Sequence, residues 1–232
     1  MDNNKKIARM VGVLFIIGTV SGILSAVLVP PVLNAADYLV KISENKNIIV
    51  LGVLLILTMG ISLSIMSVVL YPVIKKYNET LALGAVVFRG ALELVSYLGI
   101  AISWLLLITL SQEYVSAGMP TTSNFSLMGT MSLDVDSRIG SMGLVAIVFC
   151  IGALIIYYVF YKTKLIPTWL SLWGLIGAIL YIINPILLMF GFDFGFLVFP
   201  LAVQEMVMAV WLIVKGFNSS AFDSLSSKTA MN

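Results

Sequence analysis

The sequence predicts an all-α polytopic membrane protein, a bundle of six transmembrane helices with both termini cytoplasmic. Three observations predict it. The 232 residues are 60% hydrophobic and 10% charged, with a mean hydropathy of +1.09, whereas a soluble domain carries about 25% charged residues. Six apolar runs are long enough to span a bilayer, since about 20 helical residues cross ~30 Å of hydrocarbon. The basic residues are also unevenly divided between alternate loops. With the N-terminus inside, one side collects Lys5, Lys6, Arg9, Lys75, Lys76, Lys162, Lys164, Lys215 and Lys228, and the other Lys41, Lys46 and Arg138. Nine against three places both ends in the cytoplasm. The remaining cation, Arg89, lies inside an apolar run.

The first run, Met10 to Val29, follows a polar, basic N-terminus. It exceeds the 7–15 apolar residues of a signal peptide, and Leu33-Asn34-Ala35-Ala36 is a poor cleavage context. A retained first helix is expected. Gly18 and Gly22 form a Gly-xxx-Gly pair suited to close helix approach, although such a pair also arises by chance in a Gly-rich span. Pro30-Pro31 ends the helix, because neither residue has a backbone N–H.

After a polar loop from Asn34 to Asn47, the second span covers about Ile48–Val73. Thr58, Ser62, Ser64 and Ser67 are assigned to its inner face, with hydroxyls bonding to their own helix or across to a neighbour. Tyr71-Pro72 marks its exit. The third span, about Leu81 to Leu110, is followed by the longest loop, Ser111 to Arg138, and a loop of that length suggests function or mobility.

The fourth span, about Ile139 to Tyr161, ends in an aromatic cluster typical of an interface. Lys162-Thr163-Lys164 turns into the fifth, where Pro167 suits a first helical turn. Gly174, Gly177 and Ala178 give that helix a small-residue face, and Asn184-Pro185 is expected to interrupt and kink it. A turn over Gly191–Gly195 leads to the sixth span, about Phe196–Val214. Residues 1–217 thus read as one six-helix domain, and the Ser-rich residues 218–232 as a disordered cytoplasmic tail.

The chemistry concentrates in the third and sixth spans. Arg89 and Glu93 are four residues apart and project from one helix face. Glu93 lies about 12 residues into its span, and Gln204-Glu205 reaches a similar depth in the sixth, so Arg89 can pair with either acid. One arginine facing two acids leaves a carboxylate without a cationic partner. Tyr97, two turns from Arg89 on the same face, extends the cluster or simply packs. Ionisable groups in hydrocarbon cost a few kcal/mol each and mark substrate, ion or proton pathways. The competing reading is a fixed ion pair that only specifies which helices meet.

Other chemistries are poorly supported. Histidine is absent, which removes Ser-His and Cys-His nucleophile pairs and the commonest transition-metal ligand. The single cysteine, Cys150, reads as a small packed hydrophobe. There is no Gly-x-Ser-x-Gly elbow, Walker loop or GxGxxG. Asp193 in Gly-Phe-Asp-Phe-Gly lacks the second membrane aspartate of an aspartyl protease. Metal binding through Glu93 and Glu205 alone would be a thin site, so no catalytic residue, metal or cofactor is expected. No basic cluster outside the loop ends is large enough for nucleic acid.

The order and spacing of several short motifs resemble a bacterial membrane family catalogued as domain of unknown function 4386. They are Arg9-Met-Val-Gly12, Leu70-Tyr71-Pro72, Phe88-Arg89 with Glu93, Pro167-Thr-Trp169-Leu170 with Gly174 and Gly177, Gln204-Glu205, and Trp211 through Lys215-Gly216. The matches extend from about Lys5 to Phe217. The resemblance implies a multi-pass protein of the bacterial plasma membrane and carries no activity with it.

Three function classes follow. The preferred one is binding or transport of a small molecule or ion, with a proton-linked mode open, at Arg89, Glu93, Gln204, Glu205 and Tyr97. The alternative is a structural or regulatory membrane partner whose buried ion pairs only order the bundle. An intramembrane enzyme ranks last. The bilayer is the expected partner in each case, and the lack of a two-fold sequence repeat counts against a typical secondary transporter.

Overall fold

A computed structural model describes residues 3–120, 124–140, 143–192 and 194–230. Asp193 lies outside them. The chain is helical almost throughout. Helix α1 spans Asn3–Leu28, α2 Pro30–Leu33, α3 Tyr38–Glu44 and α4 Lys46–Lys75. Helix α5, Glu79–Ala85, runs through a π-helical turn, Val86–Leu92, directly into α6, Glu93–Ser116. Then come α7 (Asn124–Ile139), α8 (Leu144–Thr163), α9 (Thr168–Met189), a 3-10 turn at Gly195–Val198, α10 (Phe199–Val214) and α11 (Ser219–Ala230). Among the described residues, six helical segments are long and apolar enough to cross a membrane.

The six long apolar segments form a closed ring in chain order. Helix α1 packs on α4, α4 on the π turn and α6, these on α8, α8 on α9, and α9 on α10. Helix α10 then returns to α1. Both chain ends lie at one end of the ring: Arg9 Nε donates to Ile213 O at 3.2 Å, and Asn218 N–H to Leu165 O at 2.8 Å.

Small residues let the helices approach. A Cβ on Gly152 of α8 would come 2.7 Å from the backbone nitrogen of Arg89, and one on Gly12 of α1 would come 2.6 Å from Ala209 O. Gly18 and Gly22 both face α4, at Leu63 and Met59, so the Gly-xxx-Gly pair does lie in a helix–helix contact.

Several sequence expectations require correction. The segment Ser111–Arg138 is not an extended loop, because α6 continues to Ser116 and α7 fills most of the rest. Helix α7 is polar enough to read as a loop, yet it docks on α6, where Ser103 Oγ donates to Ser132 O at 2.8 Å. Tyr38 Oη also reaches Ser126 O at 3.4 Å.

The tail is ordered rather than disordered over the described part of residues 218–232. Phe222 and Leu225, three apart on one face of α11, pack on the main core. Lys76 Nζ sits 4.0 Å from the Phe222 ring centroid and donates to Ser226 Oγ at 2.8 Å.

Thr58 is exposed, not on the inner face, and donates back to Leu54 O at 2.8 Å. Ser67, which is buried, bonds Leu63 O at 3.1 Å. Helix α9 is not broken at Asn184-Pro185 but continues to Met189. Asn184 Oδ1 instead accepts the Phe194 N–H at 3.0 Å and ties the following turn to the helix.

The contact at Gly152 gives a stability prediction. Gly152→Ala should cost about 1–3 kcal/mol through forced displacement of the Arg89 backbone, despite alanine's higher helix propensity. Gly84→Ala, whose Cβ would meet the flexible end of Ile155 at 3.1 Å, should be near neutral. Paired thermal melts in detergent check the difference.

Candidate functional site

The π turn carries the central residue. A π turn holds one more residue per hydrogen-bonded ring than an α-helix and recurs at functional positions. Here it sets Arg89 and Gly90 inside the ring, both buried. Gly90 faces α4, where a Cβ would stand 3.5 Å from Ser67 Cβ, an ordinary van der Waals contact.

Arg89 is 2% exposed and Glu93 1%. Arg89 Nη1 donates to both oxygens of Glu93, at 2.6 Å to Oε1 and 2.5 Å to Oε2. Its Nη2 donates to Glu205 Oε1 at 2.9 Å, across the ring from α10. Charge-assisted bonds of this kind are roughly twice as strong as neutral ones. The guanidinium also lies 4.4 Å from the Phe149 ring centroid and 5.6 Å from that of Phe15, where aromatic faces favour a cation. One side chain therefore touches groups from α1, α6, α8 and α10.

Tyr97 Oη donates to Glu93 Oε1 at 2.9 Å. Gln204 Nε2 donates to Leu170 O at 3.0 Å, which joins α10 to α9. The five residues singled out from the sequence thus lie around one interior, four in a continuous hydrogen-bonded chain and Gln204 beside Glu205. Sequence reasoning missed Phe15, Phe149 and Tyr157. Phe15 and Phe149 lie inside apolar runs and read as ordinary core, whereas Tyr157 reads as part of the interface cluster that ends the fourth span yet is 1% exposed. Only the closed ring shows which of them meet the charge.

The polar accounting is incomplete in one region. Arg89 Nε is buried with no hydrogen-bond partner among the described residues. Gln204 Oε1 and Tyr157 Oη, also buried, make no hydrogen bond of good geometry, although Tyr157 interacts with Gln204 and Glu205. Tyr157 stands beside Gln204 and Glu205. Buried polar atoms are nearly always paired, so each such exception calls for a reason. Tyr157 Oη adjoins the Glu205 carboxylate and Gln204 adjoins Tyr157, and such a set suits a proton, a water or a small cation.

Removing Arg89 would strand two buried acids. Arg89→Leu alone should cost about 3–5 kcal/mol, whereas adding Glu93→Gln and Glu205→Gln should recover most of the loss, because replacing an entire buried ionic group is often neutral. Thermal melting of the single and triple variants tests this.

A family model described as "Domain of unknown function (DUF4386)" matches residues 10–216. No curated protein and no solved structure matches the chain.

Proposed function

The chain belongs to the DUF4386 family, and for this multi-pass membrane protein we propose that the buried cluster binds one small positive ion, a proton or a monovalent cation, as part of a binding or transport cycle. One observation carries the reading: a single guanidinium faces two carboxylates in an almost fully buried site. With both acids ionised the group has an excess negative charge in a medium where isolated charge is very costly. Gln204 and Tyr157 supply neutral oxygens near Glu205, which accepts one bond from Arg89 where Glu93 accepts two. Glu205 is the residue assigned to hold the ion. Arg89 and Glu93 form the fixed counter-pair, and Tyr97 orients Glu93.

The alternative, a purely structural cluster, is favoured by its occlusion, since neither Arg89 nor Glu93 reaches the surface in this conformation. The two readings diverge in their pH behaviour. If a proton neutralises the site, the native state retains a proton that the unfolded chain has released. Stability then falls as pH rises, by up to about 1.4 kcal/mol per pH unit, and an excess of a bound cation restores it. Glu205→Gln is permanently neutral there and should flatten both dependences. The check is melting of purified protein across pH and across sodium and potassium concentrations. Wild-type melting that matches Glu205→Gln under every condition would sink the ion-binding reading.

The proposed location is the bacterial plasma membrane with both termini in the cytoplasm, an orientation supported by the nine-to-three distribution of basic residues. Single cysteines at Asn78 and Ser126, both exposed, in a Cys150→Ala background, should label from opposite sides of intact cells with an impermeant reagent. Outside labelling at Asn78 would reverse the topology.

A further inference from the structure

The ring end that carries both termini also holds a cavity of about 370 Å³ between the α8–α9 connection and the end of α10. Lys164 and Lys215 line it, together with Thr168, Trp211 and Asn218, and no acidic residue does. Neither lysine forms an ion pair among the described residues. More positive charge stands nearby, since Lys5 packs beside Gly216 and Arg9 bonds Ile213 O. The cavity also meets the start of α9, a 22-residue helix with Pro167 at its N-cap. The N–H groups of Thr168 and Trp169 occupy first-turn positions that lack intrahelical acceptors.

A second observation lies on the membrane side. An apolar groove of about 450 Å³ runs along the outer face of α10 past Met206, Val207, Val210 and Val214, and it shares Trp211 and Lys215 with the cavity. A basic chamber thus opens onto a hydrocarbon groove, with a tryptophan at the junction, the residue type favoured at the membrane–water boundary. Inorganic phosphate would satisfy the lysines and leave the groove without a role. A zwitterionic lipid would fill the groove, but its own ammonium would meet the lysines.

We propose that this composite site holds one anionic phospholipid, with its phosphate between Lys164 and Lys215 and an acyl chain along Val207–Val214. Basic pockets at the cytoplasmic side of membrane helices recognise such headgroups through local charge. The site shares no residue with the Arg89 cluster and does not depend on the ion-binding reading.

The test uses the full chain purified in detergent and titrated with phosphatidylglycerol, phosphatidylcholine of the same acyl chains, or inorganic phosphate. Lipid retention is followed by native mass spectrometry and stabilisation by thermal melting. Phosphatidylglycerol should be retained as a single copy and raise the melting temperature, while the other two should not. Lys164→Gln with Lys215→Gln should weaken retention about tenfold, whereas Lys41→Gln with Lys46→Gln, the same charge change at the other end, should leave it unchanged. Val210→Trp at an exposed groove position should weaken it with both lysines intact. Equal retention of phosphatidylcholine, equal loss in the Lys41/Lys46 variant, or full stabilisation by inorganic phosphate would each overturn the assignment.

Discussion

A guanidinium with almost no solvent exposure is the constraint on which the interior depends. Arg89 does not titrate in proteins, so the surrounding helices must supply its counter-charge. Glu93 provides it from the same helix, Glu205 from the opposite side of the ring, and Phe149 and Phe15 face the cation from two other helices. Lipid offers little hydrophobic drive for helices to associate, so packing and polar contacts must specify which ones meet. Here the polar contact fixes the partners. Gly152 then sets how closely α8 approaches, because the Arg89 backbone leaves no room for a side chain there.

Much of this was legible in the sequence, because bilayer thickness and the cost of buried charge leave few options. Six apolar runs correspond to six helical segments, among the described residues, long and apolar enough to cross a membrane, and the charged positions in the third and sixth runs converge in the structure. The short motifs that resembled a known family fall within the matched span apart from the extreme ends. What escaped was information held in pairs of distant residues. Phe149 meets Arg89, and Tyr157 meets Gln204, only because α8 occupies its place in the ring.

The π turn escaped for a different reason. Its residues, Val86-Val-Phe-Arg89-Gly-Ala-Leu92, have the composition of an ordinary apolar helix, and the extra residue is a matter of geometry. Helices α7 and α11 were obscured by their serines, threonines and aspartates, which suggest loop when composition alone is read. Their docking depends on a few apolar side chains, Phe222 and Leu225 in α11, and on polar contacts to α3, α6 and the α4–α5 connection.

The ring topology also bears on how the protein is made. Because α1 contacts α10, the ring cannot close until the last span has left the ribosome, and domains form from the N-terminus during synthesis. Arg89 therefore leaves the ribosome long before Glu205, which follows 116 residues later. Glu93, only four residues away, leaves the ribosome almost together with it. The local pair thus emerges with its charges matched. The incomplete bundle is thereby spared an unpaired cation while it waits for its final helix.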